Sequence, residues 1–172
     1  MPIDDEPLLG HGSDDPSSGR SNARSLVDRI RHLVTSQPYA VLCTHGEDHA
    51  YGSLVAFAFT DDLRTAVFAT PVATRKYRLL SEHGSVALVV DSRPDCPNNM
   101  MQVEAITVTG RASEIEPGSH FDQYARLLIA RHPQLSSFVA ADSSALFRVK
   151  ITRFLHVSRF QEVQQWVPGH LS

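Results

Sequence analysis

The chain has 172 residues, of which 42% are hydrophobic and 20% charged, and its formal net charge is −3. That length and apolar content suit one globular domain and exclude a chain that stays unfolded. The slightly acidic balance excludes a global electrostatic grip on nucleic acid or an anionic membrane, which leaves a local basic site as the alternative.

The first 21 residues, "MPIDDEPLLGHGSDDPSSGRS", are acidic and rich in Gly, Pro and Ser. They hold too few apolar groups to offset the entropy of ordering, so a disordered tail is expected over 1–21 and a single domain over 22–172. The tail lacks a charged segment followed by an apolar one, so it does not read as a signal peptide. No apolar run approaches the roughly 18 residues that a membrane span needs. A cytoplasmic protein is therefore expected. Two cysteines, Cys43 and Cys96, make neither a disulfide framework nor a CxxC site, and Cys43 reads as a small core residue.

"SNARSLVDRIRHLVTSQ" places Leu26, Val27, Ile30, Leu33 and Val34 at helical spacing. Ser21 or Asn22 is the expected cap, and Gln37-Pro38 the stop. Short apolar runs follow: "YAVLCTH" (39–45), "SLVAFAF" (53–59) and "TAVFAT" (65–70), separated by the polar turns "GEDHAYG" and "TDDLR". They read as an antiparallel meander. "VATRKYRLLSEHG" switches to a helical period, with Gly84 as the residue after its end. "SVALVVD" (85–91) is a fourth strand, and "SRPDCPNNMM" a loop. "QVEAITVTGRASEIE" (102–116) is a long strand, bulged or bent at Gly110. "SHFDQYARLLIARH" is an amphipathic helix, and "ALFRVKITRFLHVSRF" (145–160) a last long strand. Many strands with few helices predict a mainly β protein, an antiparallel barrel with helices plugging its ends.

The stretch Thr70–Leu80, "TPVATRKYRLL", carries the strongest chemical signal. The chain has only two lysines, and Lys76 stands beside Arg75 at the predicted start of a helix. A helix start has unpaired N–H groups and a partial positive charge, so it favours anions. Two cations there disfavour the isolated helix by roughly 0.3–1 kcal/mol each. Thr74 can donate a hydroxyl, Arg75 a bidentate fork and Lys76 a point charge. Read alone, the segment fits an anion site equally with a solvated helix start whose cations pair with Glu82 or Asp91.

Other features read as structural. His45 and His49 flank a hairpin turn with too few neighbours for a metal site. Asp61-Asp62 is a turn pair. Asp91 and Arg93 are expected to pair and fix the following loop. Trp166, the only tryptophan, is placed by packing or, alternatively, covers a cofactor.

Residues 38–116 together resemble the pyridoxamine 5′-phosphate oxidase-like, FMN-binding split β-barrel proteins. The resemblance rests on "PYAVLCTH", "YGSLVAFAF", "VFATPVATRKYRLL", "GSVALVVDSR" and "AITVTGRASEI" in that order. It implies an antiparallel, Greek-key-like split barrel and a homodimer with FMN at the subunit interface. It assigns the FMN phosphate to Thr74, Arg75 and Lys76, and places Thr70 along the ribityl chain or phosphate. Ser53, Leu54 and Val55 match the strand whose backbone faces the isoalloxazine ring. The resemblance implies a flavin-dependent oxidoreductase, with no side chain standing out as acid or base. Pyridoxamine phosphate oxidases proper carry Arg-Gln where this chain has Glu104 and Ala105. Their C-terminal arginine pattern has no counterpart in "QEVQQWVPGHLS", which offers Trp166 and His170 instead. Both departures point away from a pyridoxine phosphate substrate. Two alternatives stay open: a non-catalytic protein that holds flavin or haem, with His120, His132 or His156 as the axial ligand, and a deazaflavin-dependent reductase.

Overall fold

The computed structural model describes residues 16–46, 49–159 and 162–169, with side chains from residue 26 onward. Residues 1–15 of the expected tail, and His170, lie outside the described residues. Helix α1 (Pro16–Ser36) begins five residues earlier than its predicted cap and runs through Ser21 and Asn22, with proline tolerated in its first turn. It ends before Gln37-Pro38 as expected. Leu26, Ile30, Leu33 and Val34 are buried on one face.

The sheet follows the predicted order closely. β1 (Tyr39–His45) pairs antiparallel with β2 (Ala50–Ala56), and β3 (Ala58–Phe59) pairs with β4 (Thr65–Pro71). The predicted strand 53–59 is thus two strands broken at Phe57, whose side chain is fully buried. Helix α2 (Arg75–Glu82) leads to β5 (Ser85–Asp91), and two 3₁₀ turns occupy the loop to β6 (Ala105–Glu114). Helices α3 (Ser119–Arg131) and α4 (Ser136–Val139) precede β7 (Ser144–Ser158), and β8 (Glu162–Trp166) closes the chain. α4 and β8 have no counterpart in the sequence reading. β8 is short and polar, and becomes a strand by pairing with the C-terminal half of β7.

The strand order is β2-β1-β5-β6-β7-β4-β3, with β8 beside β7. The sheet curls until β2 lies next to β4, to which it is not paired, so the barrel is split there. The main core fills the barrel around Phe57, Phe68, Phe147 and Phe154. A second core forms outside it, where α3 and α4 cover Ala58, Val67 and Leu146.

Two glycines are required by close approach. A Cβ on Gly110 would lie 2.5 Å from the Lys150 carbonyl oxygen, at the point where the β6–β7 register shifts, as the predicted bulge implied. A Cβ on Gly84 would lie 2.8 Å from the Ala112 carbonyl oxygen. Gly84 therefore serves strand contact, while α2 is capped by His83 in extended backbone rather than by a left-handed glycine.

The two ends of β6 are gripped by different helices. Arg29 of α1 pairs with Glu104, just before β6, and Tyr77 of α2 donates its hydroxyl to Glu114, its last residue. The helices thus close opposite ends of the barrel, as predicted. No helix among the described residues is long and apolar enough to cross a membrane.

Candidate functional site

The split between β2 and β4 opens onto the start of α2. Thr70, near the end of β4, is fully buried. Thr74 is the N-cap of α2, and its Oγ1 accepts the Tyr77 N–H at 3.2 Å. The same hydroxyl donates to the Pro71 carbonyl at 2.8 Å. Its single proton is thereby used, so the 3.2 Å contact to Thr70 Oγ1 makes Thr70 the donor. The strand-to-helix turn is held rigid before any ligand arrives. Thr74 satisfies the third amide of α2, and Arg78 N–H bonds back to the Thr74 carbonyl. The amides of Arg75 and Lys76 are left without an acceptor among the described residues, the usual state of a helix start.

The cations around this turn are not neutralised. Among the described residues neither Arg75 nor Lys76 forms an ion pair. Asp91, one expected partner, is taken by Arg93 at 2.7 Å. Glu114 is engaged by the Tyr77 hydroxyl at 3.0 Å. The Arg75 guanidinium lies over the Tyr51 ring, 5.1 Å from its centroid. Arg75 and Arg78 line an open cavity of about 400 Å³ with Val72, Ala73 and Thr74, and no carboxylate takes part. This is a cationic pocket on a preformed helix start, suited to an anionic group.

Lys76 points the other way. Its Nζ donates to the Leu54 carbonyl at 3.2 Å, and partial burial pulls the ammonium below its ordinary pKa. It ties α2 to the edge of β2 that faces the split. The strand's side chains alternate: Val55 is buried in the core, Leu54 is 64% exposed, and Ser53 Oγ is buried without a hydrogen-bond partner. The structure therefore brings Ser53, Leu54, Thr70, Thr74, Arg75 and Lys76 to one cleft, and turns only the Val55 side chain away from it. Tyr51 and Arg78 were missed by sequence reasoning. Arg78 stands three residues after Arg75, on the same side of a helix, which was a usable signal. Nothing local marks Tyr51.

The remaining candidates separate clearly. Asp62 is a turn residue: Thr60 Oγ1 (2.6 Å) and the Arg64 N–H (3.0 Å) both donate to it and hold its carboxyl below the ordinary range. His45 stacks on His83, and no cluster of three metal-ligating side chains exists among the described residues. Cys43 is not a core residue. It is partly exposed on the outer sheet face, because β1 alternates and its even-numbered neighbours Leu42 and Thr44 point inward. With His45, Thr109 and Arg111 it lines an open groove of about 610 Å³. Trp166 packs on Phe154 with ring centroids 5.3 Å apart. His132 and His156 are buried and bonded to the Phe57 carbonyl and Glu104 respectively, so neither offers Nε2 to an iron.

The model of the family described as Pyridoxamine 5′-phosphate oxidase matches residues 26–158. No curated protein sequence matches the chain. Among solved structures, the chain is similar to a haem binding protein from Mycobacterium smegmatis at 13% identity and a TM-score of 0.72, covering 80% of this chain and 56% of that one. It is similar to Campylobacter jejuni ChuZ at 11% identity and a TM-score of 0.73, covering 85% and 61%. It is also similar to HutZ, the haem storage protein of Vibrio cholerae, at 14% identity and a TM-score of 0.64, covering 83% and 94%. The chain thus spans little more than half of the first of these proteins. At such identities the likeness is one of fold.

Proposed function

The chain belongs to the pyridoxamine 5′-phosphate oxidase family, and from that premise we propose that it is an FMN-dependent oxidoreductase whose flavin lies in the cleft between β2 and the start of α2. The observation that carries this reading is the uncompensated cationic turn Thr74–Arg78 beside the buried Thr70 hydroxyl, facing an open strand edge. Arg75, Arg78 and the free amides at the head of α2 hold the phosphate. Lys76 and the backbone of Ser53–Val55 lie along the ring system. FMN bound there supplies hydride or single-electron transfer. The protein contributes binding, orientation and exclusion of water. Since Glu104 is engaged by Arg29 and His156, it offers no free group to a pyridoxine phosphate, which supports a different small-molecule substrate.

The same reading takes the chain as a homodimer. α3 and α4 cover the outer face of β3, β4 and the first half of β7. The outer face of β2, β1, β5 and β6 carries Leu54, Val41, Val89 and Thr107 in one cross-strand row that continues to Leu155 of β7. All five are partly or largely exposed. A second copy would bury this row and bring its own surface against the cleft.

A haem-holding reading draws on two of the similar structures and on the 610 Å³ groove, where His45 stands exposed beside Cys43. One experiment separates the two readings: absorbance titration of the purified protein with FMN and, separately, with haem. Saturation at one FMN per chain, lost when Arg75 and Lys76 are both changed to Ala, supports the flavin reading. No FMN binding, with a haem Soret band that His45→Ala abolishes, overturns it.

A further inference from the structure

A second charged cluster lies away from the cleft, at the end of the barrel closed by α1. Arg29 Nη2 donates to Glu104 Oε1 at 2.8 Å, and its Nε reaches Oε2 at 3.3 Å. The His156 side chain, on β7, is fully buried, and its Nε2 lies 2.9 Å from Glu104 Oε2. Glu104 is therefore shared by a helix and a strand 127 positions apart in number. Arg29 and His156 hold its carboxyl below the ordinary range, although burial alone would raise it.

The bond pattern fixes the tautomer of His156. An ionised carboxylate only accepts, so Nε2 must carry the proton. Nδ1 is then the bare nitrogen, and it is buried with no hydrogen-bond partner. A second proton must go there, where nothing accepts it, and would leave a net positive charge in a dry place already holding Arg29. The other charged groups nearby are committed elsewhere. Asp91 pairs with Arg93 at the end of β5, and Asp95 accepts from Gln37. Glu162 of β8 accepts from Arg159 and Ser158. Asp28 and His32 of α1 lie on its exposed side. None of them bonds to His156.

We propose that Arg29, Glu104 and His156 form an acid-released latch, in which neutral His156 holds Glu104 in place for Arg29 and a proton on Nδ1 undocks α1 from the barrel. Undocking opens the imidazole to water, so the opened state binds the proton more readily. Burial lowers the pKa of His156 more than the bond to Glu104 raises it. Docking is therefore fully favoured above the ordinary imidazole value of 6.5, and weakens as pH falls below it towards the lowered value in the docked state. Glu104 acts in the same direction below its ordinary 4.5. The barrel strands, which contain no such group, keep their protection, so the release is local.

The test is amide hydrogen exchange on the full chain between pH 7.5 and 5, corrected for the intrinsic rate. Residues 26–36 should lose protection by at most about tenfold per pH unit, the limit for one linked proton, while β5 and β6 change little. His156→Gln keeps a donor for Glu104 but cannot titrate, and should make the protection of α1 flat over this range. A flat wild-type profile, or the same slope in the variant, overturns the latch. If the variant does not fold, NMR titration of the native chain decides: α1 amides and the His156 ring must share one midpoint, and separate midpoints overturn it.

Discussion

The Lys76 ammonium donates to the Leu54 carbonyl at 3.2 Å, across 22 residues of sequence. This bond joins the head of α2 to the open edge of β2 and so defines both walls of the cleft. Lys76 and Arg75, adjacent in the chain, consequently have different tasks. Arg75 faces the anion pocket, and Lys76 spans the split.

Changing Arg75 and Lys76 together to Ala should leave the fold intact, because neither takes part in an ion pair of the described structure. FMN affinity should fall by several kcal/mol, if charge-assisted bonds are worth roughly 1.5–3 kcal/mol each. Flavin fluorescence titration measures the loss, and circular dichroism checks the fold. An unchanged affinity in the folded variant would return both residues to a solvated helix start.

Arg131 of α3 is a structural cation. Its guanidinium donates to the carbonyls of Val34, Thr35 and Gln37, at and just beyond the end of α1, and lies 4.7 Å from the Phe57 ring centroid. These carbonyls have no helical partner of their own. Arg131→Met keeps much of the apolar stem but strips the cap, and should cost about 2–4 kcal/mol. Urea denaturation would register this as a lower midpoint with the same slope.

Gly110→Ala has no room at the bulge, since the new methyl meets backbone rather than a flexible side chain. A loss of about 1–3 kcal/mol is expected from the forced shift of β6 against β7. Thermal unfolding that matched the wild type would show that the bulge yields.

Val89→Glu places a charge in the centre of the exposed cross-strand row, beside Val41 and Thr107. The monomer fold should tolerate it, because the position is already partly exposed. Sedimentation velocity should show monomers where the wild type shows dimers, with weaker FMN binding if the partner completes the site. A variant that stays dimeric would move the interface elsewhere.

Several elements could be read from the chain because their causes are local. Tyr39–His45 and Ser85–Asp91 alternate cleanly between apolar runs and polar turns, so their limits matched. Thr74 followed by a helical period announced the cap of α2, and Gly110 announced a bulge. The resemblance placed FMN contacts on residues that the fold does gather at one cleft. Where prediction failed, the cause lay at a distance. β8 is a strand only because β7 offers it an edge, and Cys43 faces outward because the barrel closes on its neighbours.

By itself, then, the sequence determined the alternation, the caps, the breaks and the unusual pair of cations, since these follow from dihedral preference and side-chain chemistry within a few residues. Only the tertiary structure decided which carbonyl Lys76 would reach, which ring would lie under Arg75, and that Glu104 would be held between Arg29 and His156. Those pairings depend on how a curled sheet brings distant strands and helices together, and no local spacing encodes that distance.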